Sequence, residues 1–166
     1  MRSPRHVVVL PAVAGALMLT GCGGQSTAPA PSPGVTTVTT ESREGIDAAI
    51  KVCHQVITSA GVMVRDYNAF IVRLNDTQDY AEIDKEDRYA VDTFNTGADL
   101  VREALTPQLP DDIEQKVHDF LTATEQLSEQ VSKRHKIALN SAMEQWSRQR
   151  TGLIDACGEF MPTGTN

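Results

Sequence analysis

The sequence predicts an all-α fold, an up-down-up-down four-helix bundle with one disulfide. Two patterns and one count lead there. Apolar residues recur at alternating spacings of four and three along four stretches, the period of an amphipathic helix and of no strand. Proline and polar clusters separate most of those stretches. Of the 3 cysteines, the last two fall where antiparallel helices bring them together. A length of 166 residues suits one domain with tails, and 40% apolar residues with 5% aromatics supply one modest core.

The first stretch runs through Ile46, Ile50, Cys53, Ile57, Ala60, Val64, Tyr67, Ile71 and Leu74. It predicts a helix of ~31 residues and ~46 Å from about Glu44 to Leu74. Ala49, Val52, Val56, Met63 and Phe70 widen the stripe, as burial in a bundle requires. Gly61 costs ~1 kcal/mol inside a helix and suggests a close approach by a neighbour. After the break at residues 75–82, a second run passes through Ile83, Ala90, Phe94, Ala98, Val101 and Leu105, and Pro107 and Pro110 end it. The third follows Asp111 with Ile113, Val117, Phe120, Leu127 and Val131, with Thr124 and Arg134 at seam positions. Its acidic first turn and the basic residues Lys133, Arg134 and Lys136 match the helix dipole.

No Pro or Gly occurs between Asp111 and Thr151, so the end of the third helix must be read from phase. The register slips to Leu139, Met143, Trp146, Leu153 and Cys157, and Asn140-Ser-Ala-Met-Glu144 offers a capping box. These place a tight turn at Asn140 and a fourth helix from about Ala142 to Ala156. A kink without reversal is the alternative. The cysteines favour the turn: Cys53 then lies ~14 Å and Cys157 ~20 Å above the same end of the bundle, whereas one continuous helix would end ~70 Å away. A Cys53–Cys157 disulfide follows, in an oxidising compartment.

The N-terminus supplies such an address. Residues 1–6 carry Arg2 and Arg5, and Val7 to Leu19 form an uncharged apolar run, too short to span ~30 Å of hydrocarbon as a stable helix. Residues 1–21 read as a signal peptide. Leu19-Thr20-Gly21-Cys22 resembles the lipobox of bacterial lipoproteins, and the resemblance implies a diacylglyceryl group on the Cys22 thiol, cleavage before it and acylation, palmitate included, of the new amino group. An ordinary secretory peptide and an uncut anchor are the other readings, and all three place the domain outside the cytoplasm. Residues 22–40 are an uncharged Thr- and Pro-rich tether with Pro29, Pro31 and Pro33. In this the chain resembles actinobacterial cell-envelope lipoproteins. Residues 41–160 form the bundle and 161–166 a C-terminal tail.

Groups for chemistry are sparse. His54, His118 and His135 lack partner sets; Glu114 and His118 make half a metal site, but the paired E-x-x-H of di-metal bundles does not occur. No zinc, haem, phosphate-loop or nucleophile-elbow motif is present, so no catalytic residue, metal or cofactor is expected, and the chain reads as no enzyme. Asp76, Asp79, Glu82, Asp84, Glu86, Asp87 and Asp92 lack the spacing of a calcium loop and read as a solvated face. The net charge of −7 argues against nucleic acid. The basic run Lys133–Lys136 suits an anionic lipid, a partner or a helix end.

The leading functional expectation is a structural or interaction module of the cell envelope, held to the membrane by its N-terminal lipid anchor and facing an envelope protein. The alternative is a carrier of a small apolar or lipid-like ligand in a groove lined by Ile57, Met63, Phe70, Phe94 or Phe120. A packed core favours the first and an apolar cavity above ~300 Å³ the second. Mass spectrometry and detergent partitioning test the anchor: wild-type protein carries its acyl mass and enters the detergent phase. Cys22→Ala leaves an uncut, unacylated precursor, and equal masses after allowing for the substitution, with equal partitioning, would overturn the lipobox.

Overall fold

Ser42 opens the first helix by accepting a hydrogen bond from the Gly45 N–H at 3.0 Å, which satisfies one of the free donors of the first turn. The computed structural model of the chain describes residues 42–83 and 85–161. The expected signal peptide, lipidated Cys22 and tether lie outside these residues, as do Asp84 and the tail beyond Met161. Four helices follow in order, α1 (Arg43–Thr77), α2 (Glu86–Ala104), α3 (Asp111–Ser132) and α4 (Lys136–Cys157), with a short 3₁₀ turn at Tyr80–Glu82. They form an up-down-up-down four-helix bundle, without a strand among the described residues. Each helix packs against its neighbour in sequence, and α4 returns to α1 with the fewest close approaches of the four adjacent pairs.

The expected stripes of α3 and α4 are the buried ones. Ile113, Val117, Phe120, Thr124, Leu127 and Val131 line the inner face of α3, and Leu139, Trp146, Leu153 and Cys157 that of α4, with the expected Met143 half-buried against it. In α1 the inner face is turned. Ala49, Val52, Val56, Met63 and Phe70 are fully buried, whereas Ile46, Ile50 and Ile57 remain 37–40% exposed. At about 100° per residue those three isoleucines stand roughly a quarter turn from the centre of the buried face, on its Cys53 side. The broad apolar stripe permits either rotation, and this one points the bulky Met63, Tyr67 and Phe70 into the core.

Aromatic rings connect the four helices. Tyr80 packs on Phe70, Phe70 on Tyr67, Tyr67 on Phe94, Phe94 on Trp146 and Trp146 on Phe120, with centroid distances of 5.7–6.2 Å. The Phe94–Trp146 pair is edge-to-face at 75°. Every Phe, Tyr and Trp of the chain except Tyr89 and Phe160 belongs to this series. Few aromatics therefore suffice, because they are stacked in one column.

The turn between α3 and α4 comes earlier than Asn140. Lys133, Arg134 and His135 form it, and Asn140 and Ser141 lie inside α4, so the capping box is not used. Arg134 adopts φ 56°, its N–H donates to the Val131 carbonyl at 3.1 Å, and the His135 N–H donates to the Gln130 carbonyl at 3.1 Å. These two bonds make a Schellman ending with arginine where glycine is usual. The left-handed conformation costs an L-residue roughly 1–2 kcal/mol. The Arg134 side chain offsets that cost by reaching Asp87 of α2, Nη2 to Oδ2 2.9 Å, with the guanidinium 5.9 Å from the Tyr80 ring centroid. Arg134 is thus a turn residue rather than a seam residue, and the last turn of α3 has no basic side chain.

Gly61 does not mark a close approach either; a Cβ there would meet nothing within 4 Å. Gly97 does. A Cβ on it would stand 3.3 Å from Ser59 Cβ and 2.5 Å from Met63 Cε, so α2 lies close on α1 at this point.

Cys53 and Cys157 are bonded, with Cα atoms 5.4 Å apart across a sequence separation of 104. A loop of that length corresponds to about 4.7 kcal/mol on the chain-entropy model, and removing such a bond typically costs about 2–5 kcal/mol. Reduction, or the Cys53→Ala/Cys157→Ala double variant, is expected to lower the melting temperature while far-ultraviolet circular dichroism still reports helix at 25 °C, about room temperature. An unchanged melting temperature would refute the stabilising role of the bridge.

Candidate functional site

The charged groups singled out in the sequence do not converge. His54 is exposed on α1; His118 Nε2 stands 3.7 Å from Glu114 Oε1 on the exposed face of α3; His135 Nδ1 is 3.1 Å from Gln130 Oε1 at the turn. Among the described residues, no three His, Cys, Asp or Glu side chains gather as a metal would require. Of the acidic segment, Asp76, Asp79, Glu82 and Asp92 are exposed, as a solvated face requires, but some of its carboxylates also serve local structure. Asp79 Oδ1 accepts from the Ala81 N–H at 2.8 Å, and the N–H groups of Glu86 and Lys85 hold the Glu86 carboxyl below its ordinary range. Asp87, 6% exposed, is the buried partner of Arg134. The basic run is engaged as well: Lys133 pairs with Glu129, Arg134 with Asp87, and Lys136 Nζ donates to the Gln78 carbonyl at 3.4 Å.

Inside the bundle one polar relay is complete. The Trp146 indole N–H donates to Thr124 Oγ1 at 3.0 Å, and that hydroxyl donates to the Phe120 carbonyl at 2.8 Å. Both side chains are buried, so the seam threonine is the partner that allows an indole in the core. Burial pushes the Tyr67 phenol up to about 12, with the nearby Tyr80 adding to the effect. Tyr80 is raised in the same way, by burial first.

The proposed apolar lining of a carrier groove is not on a groove. Met63, Phe70, Phe94 and Phe120 are core residues with no exposure, and Ile57 is at the surface. An open groove of about 520 Å³ lies elsewhere, along the outer side of the α1–α2 contact. Its small residues Thr58, Ser59, Thr93, Thr96 and Gly97 leave room between the two helices, and Val62, Tyr89 and Leu100 form apolar walls. Asp66 is held at its edge: Arg65 Nε lies 2.7 Å from Oδ1, and the Thr93 hydroxyl donates to Oδ2 at 2.6 Å. These bonds, that of Arg65 foremost, draw the Asp66 carboxyl below its ordinary range. Nothing in the helical periodicity flagged this site, because its small residues at 58–59 and 93–97 come from two different helices.

Residues 38–158, which contain all four helices, match the pattern of the Rv2240c four-helix bundle domain. The chain belongs to that family. The family is of mycobacterial type, in keeping with the actinobacterial resemblance of the N-terminal stretch, and its description names a fold and no activity. No curated protein and no solved structure matches the chain. Among the described residues, no helix is long and apolar enough to cross a membrane.

Two measurements probe the interior. Thr124→Val keeps the volume but strands the Trp146 N–H, and is expected to cost about 1–3 kcal/mol in denaturant unfolding, while Thr124→Ser stays close to wild type. For Tyr67, the folded pKa lies above the unfolded value of about 10, so the unfolded chain loses its proton first as pH rises. Stability is fully present below pH 10 and falls between about 10 and about 12, by on the order of 2 kcal/mol. Tyr67→Phe should flatten that alkaline decline, leaving the smaller part that Tyr80 contributes; equal slopes for the two proteins would refute it.

Proposed function

We propose that the protein is a lipid-anchored, extracytoplasmic interaction module of the cell envelope. The observation that carries this reading is the Cys53–Cys157 bond, buried between the first and last helices. Such bonds persist in oxidising compartments and are rare in a reducing cytosol. The lipobox at Leu19–Cys22 and the uncharged tether of residues 22–40 agree with it, because together they would hold the bundle outside the membrane at a distance. The packed core, with Met63, Phe70, Phe94, Phe120 and Trp146 all without exposure, favours a module that acts through its surface. Among the described residues His54, His118 and His135 stand apart from one another, and we read the chain as a binding protein rather than an enzyme.

A second reading, the carrier of a small ligand, is favoured by the groove between α1 and α2, whose volume of about 520 Å³ lies in the range of small-molecule sites. Topology in intact cells tests the first reading. A C-terminal epitope should be removed by an impermeant protease added to cells whose outer layers have been opened, and the two cysteines should resist alkylation until a reductant is added. An epitope protected until the plasma membrane is lysed, with both thiols free, would overturn it.

A further inference from the structure

We propose that the groove between α1 and α2 binds an amphiphilic organic cation, its ammonium at Tyr89 and Asp92 and its apolar body along Val62 and Leu100. This rests on the carrier reading and adds the ligand class. The groove owes its shape to sequence: Ser59 and Gly97 bring the helix backbones together, and the short side chains above them leave a trough open to solvent. Val62 and Leu100 stay 38% and 43% exposed along it, so an apolar body would cover surface that the fold leaves wet.

The charge of the lining selects the head group. Arg65 is the one cationic residue lining the groove, and it is committed to Asp66, 2.7 Å away. Asp66 in turn has its second oxygen on the Thr93 hydroxyl. Asp92 forms no ion pair among the described residues, so the groove carries one uncompensated negative charge. An anionic ligand would face that carboxylate, and the cation among the lining residues is already committed to Asp66. Tyr89, one turn before Thr93 and 53% exposed, presents a ring that already attracts an ammonium: Lys85 Nζ lies 5.6 Å from its centroid. A surface lysine is readily displaced, so the same ring face and Asp92 can receive a ligand's ammonium instead. The net charge of −7 adds a long-range attraction for cations.

The test uses the lipidated protein purified in a neutral detergent at constant concentration, titrated with hexyltrimethylammonium, hexanoate and hexanol, with binding read by saturation-transfer magnetic resonance. Thr96→Trp and Thr58→Trp fill the groove from opposite helices; both positions are exposed, and circular dichroism identifies which variants are folded. The expected result is saturable binding of the cation at least about tenfold tighter than of the other two probes, lost in the filled variants. Asp92→Asn should weaken the cation and leave hexanol unchanged, and Tyr89→Ser, which also removes an apolar wall, should weaken the cation more than hexanol. Equal binding of all three probes, abolished by filling, would overturn the cation preference and leave the carrier reading standing. Saturable binding that survives filling overturns the site, and the absence of any saturable binding overturns both readings.

Discussion

Four helices joined in series by three connections leave one adjacent pair unjoined, and the Cys53–Cys157 bond closes it. α1 and α4 have the fewest close approaches of the adjacent pairs, so the covalent link falls on the seam that packing secures least. Ile46, Ile50 and Ile57 stand partly exposed on that side of α1 for the same reason: α4 does not cover them. A helical hairpin pair of this size has core enough to form helices, but holding its two ends together costs the entropy of a loop of more than a hundred residues. The bond removes most of that cost from the unfolded chain. The closure is secure only where thiols are oxidised.

The core has its own economy of means. A chain with so few aromatics places nearly all of them in one column through the bundle, where each ring touches a ring from another element or another turn. Trp146 lies near one end of this series, between Phe94 and Phe120, and its indole N–H is the polar group that burial makes costly. Thr124 accepts from that donor and donates its own O–H to a helix carbonyl, so the seam carries a hydroxyl without an unsatisfied group. The column also accounts for the rotation of α1, because Tyr67 and Phe70 reach it only when the isoleucine row is turned outward.

What could be read from the sequence was the part governed by periodicity. The inner faces of α3 and α4, the break at Pro107–Pro110 and the pairing of the cysteines all follow from spacing and from the length of a helix. What could not be read depended on contacts between residues distant in sequence. Arg134 has no glycine-like signature, yet it takes the left-handed position because Asp87, 47 residues earlier, receives its guanidinium. Asp87 itself looked like one more solvated acid. The α1 stripe was wide enough to admit two rotations, and the volumes of rings on other helices chose between them. The groove was illegible for a related reason: Ser59 and Gly97 stand in different helices, and only their juxtaposition makes the trough.

The closures at the two ends act on that groove together. The disulfide fixes α4 to α1 about ten residues above the start of α1, while Arg134 fixes the α3–α4 turn to the first turn of α2 at the opposite end. Between them, α1 and α2 are set against each other by the close approach at Gly97 and by the Thr93–Asp66 hydrogen bond, which crosses the groove edge at 2.6 Å. The width of the trough is therefore set by the closed ring and the α1–α2 contact, with no loop of its own. A site built on two helices of a ring stapled at one end and pinned at the other is preorganised, so a bound molecule would not have to order it. Binding energy at the proposed site would go into contact with the ligand, and the same geometry would limit it to molecules narrow enough to lie between Val62 and Leu100.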